Sequence, residues 1–190
     1  MNRIVFVFLV GSWLTGITTC YAQNPSQNQG SGMGLQYLQG LRIKGQRALK
    51  MGDTRNATKA GLLLLQGNTD KTSWNYGNMV YEGNQLLGLA ALREGKVAPA
   101  KKYLLAAGKT PGSPQLNSFG PEMTLAQELL KKGEKQAVLD FLDEVVVFWA
   151  THKTGETKLH NQLMTEHAAL LQRWKAEIRA GKQPTLNRVR

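Results

Sequence analysis

Three stretches of this chain align with one another without a gap, and the glycines that punctuate them constrain the fold more than any other feature. KGQRALKMGDTRNATKAGLLL from Lys44, LGLAALREGKVAPAKKYLLAA from Leu87 and LAQELLKKGEKQAVLDFLDEV from Leu125 each place a small residue (Gly45, Gly88, Ala126) seven positions before a glycine (Gly52, Gly95, Gly133). Five positions after that glycine stands Ala57, Ala100 or Val138, and twelve after it Leu64, Ala107 or Val145. A small residue lets one helix approach its neighbour closely. A glycine can take the left-handed conformation that ends a helix, and the apolar sites after it fall on one face of a second, antiparallel helix. Each stretch therefore predicts a helical hairpin. Such a hairpin leaves an apolar face uncovered, so the units must stack, and three is about the smallest stable number.

The apolar periodicity predicts helices over 34–50, 54–66, 73–94, 97–107, 121–132 and 134–150, then a longer one over 156–180. In that last helix Leu159, Leu163, Leu170, Trp174 and Ile178 recur at helical spacing, which suits a helix that covers the exposed end of the stack. Gly181 ends it and Pro184 prevents its continuation. VLDFLDEVVVFWA carries three valines that favour strand locally, yet Val138, Phe141, Leu142, Val145 and Trp149 repeat at three and four, so helix is expected there too. The expected fold is all-α: a solenoid of about three hairpins plus a C-terminal capping helix, spanning 34–180, with a flexible basic tail over 181–190.

The pattern resembles the tetratricopeptide repeat. The likeness is best in the middle unit, where Gly88, Ala91, Gly95, Ala100, Leu104 and Ala107 fit and Pro111 falls close to the closing proline. It departs from that family where Lys44 replaces a large apolar residue, where Gly61 replaces an apolar one, and where Val138 replaces alanine. The turn glycines are 43 and 38 residues apart, against a family period of about 34, so the loops between units are enlarged. The run YLLAAGKTPGSPQLNSFGPEMTLAQELLKKGEK is also similar to a group of exported bacterial helical-repeat proteins that carry no assigned activity.

Residues 1–22 have the layout of a secretory signal: the cation Arg3, an uncharged apolar run from Ile4 to Leu14, then smaller residues ending in Cys20-Tyr21-Ala22. Cleavage is expected before Gln23, giving a secreted or periplasmic protein that begins with a flexible linker, 23–33, rich in Gly, Ser, Asn and Gln. If uncleaved, the run would serve as a membrane anchor, although its Thr-rich second half makes a poor span. Cys20 as a lipid-attachment site lacks the usual small residues before it. Cys20 is the sole cysteine, so an internal disulfide and a thiolate zinc cluster are both excluded.

No catalytic, cofactor-binding or metal site is expected. Gly108-Lys109-Thr110 looks like the end of a phosphate loop but lacks the earlier glycine, closes a helix and runs into Pro111. Glu156, His160 and His167 share one side of the last helix, but the histidines are about 10 Å apart along the axis, too far to share an ion unaided. Ser118 lacks the glycine frame of a nucleophile elbow. Asp143 and Glu144, adjacent on a helix, diverge by about 100 degrees, and nothing in the spacing selects Glu82 and Glu122 as a hydrolytic pair. Asn56-Ala57-Thr58 is a formal glycosylation acceptor, relevant only in a eukaryotic secretory path.

The likeness to tetratricopeptide proteins implies that the first helix of each hairpin lines a concave groove. The inward sites would be Arg42, Gln46, Leu49 and Lys50, then Gln85, Leu89, Leu92 and Arg93, then Gln127, Leu130 and Lys131. Cations, amides and leucines of this kind suit an extended acidic peptide or protein segment, the cations meeting carboxylates and the amides meeting backbone groups. A basic solvated surface with no specific ligand is the plainer reading. The chain has 24 cations against 13 acids, a net +11. Residues 121–150 sum to −3 and 151–190 to +5, which favours contact between the third hairpin and the last helix, or an anionic partner elsewhere. The alternative partner is an anionic envelope polymer, cell-wall glycan or lipid headgroups, bound through the basic C-terminal helix and tail. Nucleic acid is disfavoured because too few aromatics interleave the cations to stack bases.

Overall fold

Four glycines end helices in the same way. Gly52, Gly95, Gly133 and Gly181 have φ of 76°, 75°, 85° and 81°. In each, the glycine N–H donates to the carbonyl three residues back (Leu49, Leu92, Leu130, Ile178), and the next N–H donates to the carbonyl five back from itself (Ala48, Ala91, Leu129, Glu177). These paired bonds satisfy carbonyls that a helix end otherwise leaves bare. At the first three of these glycines a Cβ would meet nothing within 4 Å, so the demand is conformational and not one of space.

A computed structural model of the protein describes residues 34–151 and 157–186, except the side chains of 158–160. The expected signal segment and linker, His152, Glu156 and residues 187–190 lie outside the described residues. The elements are α1 (Leu35–Lys50), α2 (Thr54–Gly67), α3 (Tyr76–Arg93), α4 (Val97–Gly108), α5 (Pro114–Phe119), α6 (Thr124–Lys131), α7 (Lys135–Val145), a π-helical turn (Val146–Ala150) and α8 (Lys158–Arg179). Every regular element among the described residues is helical, as the all-α reading expects. The helices joined by the first three glycines, α1 with α2, α3 with α4 and α6 with α7, pack on one another, and α3 also lies against α1, α5 and α6.

Space, not φ, is what the small residues supply. A Cβ on Gly45 would lie 2.5 Å from Leu86 Cδ1, and one on Gly88 2.2 Å from Leu125 Cδ2. In both cases the leucine belongs to the first helix of the following hairpin. Gly61, a departure from the repeat pattern, has its own reason: a Cβ there would fall 2.9 Å from the Gly83 carbonyl and 2.8 Å from Leu87 Cγ, so α2 and α3 cross with their backbones close together. Leu38, Leu64, Met79 and Leu86 form the core of the first units. Tyr81, Leu104, Leu129, Phe141 and Leu142 form a second core that extends to α8.

Several boundaries differ from the expectation. The helix predicted from 73 begins at Tyr76, because the Asp70 carboxylate accepts from the Thr72 N–H and hydroxyl and holds 70–73 in a turn. The helix predicted over 121–132 begins at Thr124. A separate short helix, α5, precedes it, capped by Ser113, whose Oγ accepts from the Leu116 N–H, with Pro114 in its first turn. The valine run is helical but ends in the π turn, which buries the consecutive residues Phe148, Trp149 and Ala150. On α8 the buried side is Leu171, Trp174 and Ile178, while Leu163 is 40% exposed.

The two kinds of glycine should respond differently to substitution. Gly95→Ala should lower stability by about 1–2 kcal/mol, the cost of a left-handed non-glycine residue. Gly88→Val should cost about 3 kcal/mol by overpacking against Leu125. Urea unfolding followed by helical circular dichroism measures both, and a neutral Gly88→Val would contradict the close approach of α3 to α6.

Candidate functional site

The expected groove residues separate into a surface set and a core set. Arg42 on α1 lies with its guanidinium 3.8 Å from the Glu82 carboxylate on α3, and Gln46, one turn on, donates to the same carboxylate at 3.5 Å. Lys50 and Arg93 are exposed at the C-terminal ends of α1 and α3, and Leu89 is half-buried against both cores. On α6, Gln127 is half-buried and Lys131 is exposed, paired with Glu128 at 2.9 Å. Arg42 and Gln46 are thus brought together over a carboxylate supplied by the protein itself.

Gln85 is a correction to that set. It is 3% exposed and donates to the Tyr81 hydroxyl at 3.0 Å, while that hydroxyl donates to the Glu122 carbonyl. A buried phenol requires a hydrogen-bond partner, and the residue one turn along supplies it. Leu49, Leu92 and Leu130 are likewise core residues.

The first part of the tail has contacts with α6. After the Gly181 turn, the chain from Lys182 to Leu186 runs without regular structure back over α6. Leu186 is 3% exposed, and its backbone N–H donates to the Gln127 side-chain oxygen at 2.7 Å. Beside this contact opens a cavity of about 590 Å³, walled by Glu122, Thr124, Glu128 and Lys131 on one side and Gln183 and Thr185 on the other. A signal for this was available in the sequence: Leu186 stands five residues after Gly181, the offset at which Ala57, Ala100 and Val138 follow their own glycines.

A second polar constellation was not foreseen. Asn78 on α3 donates to Asn75 Oδ1 at 2.6 Å and to Gln115 Oε1 at 2.7 Å, and accepts from the Ser113 hydroxyl at 2.6 Å. The Thr110 hydroxyl donates to the Gly77 carbonyl at 2.7 Å. A Cβ on Gly77 would overlap the Gly112 carbonyl oxygen at 1.7 Å. The start of α3 and the loop ahead of α5 are therefore joined by buried amides, hydroxyls and bare backbone.

The remaining candidates have structural partners. Gly108 ends α4 under Phe141 and Glu144, and Thr110 is tied to Gly77, so the Gly-Lys-Thr run closes a helix. His167 stacks on Trp149 with centroids 4.4 Å apart, and its Nδ1 is 3.2 Å from the Trp149 carbonyl. Its expected neighbours Glu156 and the His160 side chain are outside the described residues. Glu122 accepts from the Thr124 N–H, and Ser118 is exposed on α5. Among the described residues, the third hairpin and the last helix are joined by the ion pair of Lys175 with Asp143. Among the described residues no cluster of three or more His, Cys, Asp or Glu could hold a metal ion, and no helix is long and apolar enough to cross a membrane.

Comparison with known proteins finds no matching family, curated protein or solved structure.

Burial holds the His167 pKa below the ordinary histidine value, and this outweighs the opposing effects of the Trp149 carbonyl and Glu166. The folded protein then binds the proton less readily than the unfolded chain, so this contribution is present above about pH 6.5 and is lost as pH falls through the lowered value. Thermal unfolding should show a midpoint that drops from pH 7 to pH 5, with a shallower drop in His167→Gln; equal slopes would remove His167 as the cause.

Proposed function

We propose that the protein is an exported, non-catalytic interaction or assembly module. In this reading its hairpins form a tetratricopeptide-like solenoid that takes an extended acidic peptide or protein segment across α1, α3 and α6. The observation that carries the proposal is the bond from the Leu186 backbone N–H to the Gln127 side chain: an amide of the expected groove set already receives the backbone of a non-helical stretch of chain whose apolar side chain is buried. Extended peptides are commonly held by hydrogen bonds to their backbone together with pockets that take alternate side chains. The acidic preference is supported at the other end of the face. There Glu82 sits against Arg42 and Gln46, in the place a ligand carboxylate would take, and Lys50 and Arg93 stand exposed nearby in the chain.

The revised binding set is Arg42, Gln46, Lys50, Leu89, Arg93, Gln127 and Lys131. The anionic-polymer alternative has less support: Lys175 is buried against Asp143, and the tail to Leu186 is seated on α6, so part of the basic C-terminal end is already engaged within the molecule.

A fluorescent decapeptide of alternating Leu and Glu provides a defined probe. Its affinity, measured by anisotropy, should fall about tenfold when Arg42 and Arg93 are both changed to Glu, a loss of about 1.4 kcal/mol. It should rise in Glu82→Gln, which releases Arg42 and Gln46, and in Leu186→Asp, which releases the tail. No change in any of the three variants would reject the groove.

A further inference from the structure

The connections that lengthen this repeat converge on one place. Residues 68–75, between α2 and α3, and residues 109–123, around α5, bound a cavity of about 370 Å³ at the start of α3, away from the groove residues. Insertions between repeats map to loops, and loops carried on a rigid scaffold are a common seat of binding. The scaffold here is unusually well fixed. Asn78 has both amide hydrogens and its oxygen engaged, Ser113 both caps α5 and bonds Asn78, and Asn68 donates to the Tyr76 carbonyl at 2.9 Å. Asn75, also buried, holds an amide nitrogen with no hydrogen-bond partner in this cluster. Spending buried polar groups on two loops costs stability unless every bond is made, and its return is a cavity whose walls are set before any ligand arrives.

The walls indicate the ligand. Trp74 stands at the cavity 53% exposed, although an indole contributes most when buried. Around it are Tyr76, Asn117, Ser118 and Pro111, with Lys71 the one charged residue and no carboxylate among the described lining. A flat apolar surface bordered by neutral hydroxyls and amides complements a molecule with an apolar face and a hydroxyl-bearing edge. A pyranose ring has that form: its C–H face leaves water against the indole, while its hydroxyls exchange water for neutral partners at little desolvation cost. A single cation adds preference for a ring bearing one negative substituent.

We propose that the cavity between the 68–75 and 109–123 loops is a saccharide-binding site, in which Trp74 stacks on one sugar ring of a glycan and Lys71 meets a carboxylate on it. The site is separate from the groove and stands whether or not the groove binds peptide.

Collisional quenching tests this directly. Trp149 and Trp174 are 3% and 2% exposed, so in a full chain carrying Trp13→Phe the acrylamide-sensitive fluorescence belongs to Trp74. A neutral N-acetylglucosamine trimer and a hexuronate trimer should both protect it. The hexuronate should bind about fivefold tighter at low ionic strength, the scale of one exposed ion pair. Lys71→Gln should erase that difference. Ser118→Tyr, an exposed position that fills the cavity without touching the core, should abolish protection by both sugars, whereas Arg42→Glu in the groove should leave both intact. Protection by neither sugar, protection only by a proline-rich peptide, or equal loss in Arg42→Glu would overturn the assignment.

Discussion

Each hairpin in this protein is joined to the next by a leucine that occupies the space of a missing side chain. Leu86 fills the position over Gly45 and Leu125 the position over Gly88, at separations where a single added Cβ would collide. The other inter-unit features follow from that closeness. α3 lies against α1 by placing Leu86 over Gly45 and against α6 by placing its own Gly88 under Leu125, and the Arg42 to Glu82 contact across α1 and α3 needs the same proximity. Close approach also explains the buried polar contact, since helices in van der Waals contact exclude water from Tyr81 and Gln85, and the Gln85 amide N–H donates to the phenol instead.

The turns were legible in the sequence because one residue decides each of them. Gly52, Gly95 and Gly133 sit in open space with left-handed φ, a requirement that a single letter announces. Gly61 was harder to interpret. Against the repeat pattern it looked like decay, whereas it marks the crossing of α2 over α3, a relation between two backbones that no local periodicity records. The same limit applies to Gln85. The groove register placed it outward, whereas it is buried and its amide N–H donates to the Tyr81 phenol one turn earlier.

The loop site was not legible at all, for a physical reason. Its central bond joins Asn78 to Ser113, thirty-five residues apart in the chain. Ser113 lies in a loop, where serine is ordinarily read as a solvated turn former, and Asn78 lies in the first turn of α3, where a polar side chain is ordinarily read as exposed. Only the tertiary approach of Gly77 to Gly112 makes them interior residues. The α5 helix was partly announced by Ser113-Pro114, a capping residue followed by a first-turn proline, but at six residues it offers too little apolar period to be seen.

The C-terminal end shows how repeat chemistry can continue without repeat structure. The Gly181 turn has the same two hydrogen bonds as the three hairpin turns, and Leu186 follows it at the same offset as Ala57, Ala100 and Val138. Pro184 lies between them, and the chain leaves the turn without regular structure. An irregular segment keeps backbone donors that a helix would consume internally, and one of them reaches Gln127. The turn and the apolar anchor thus recur as in the hairpins, while the segment between them is irregular where a second helix follows each hairpin glycine. That segment ties α6 to the end of α8.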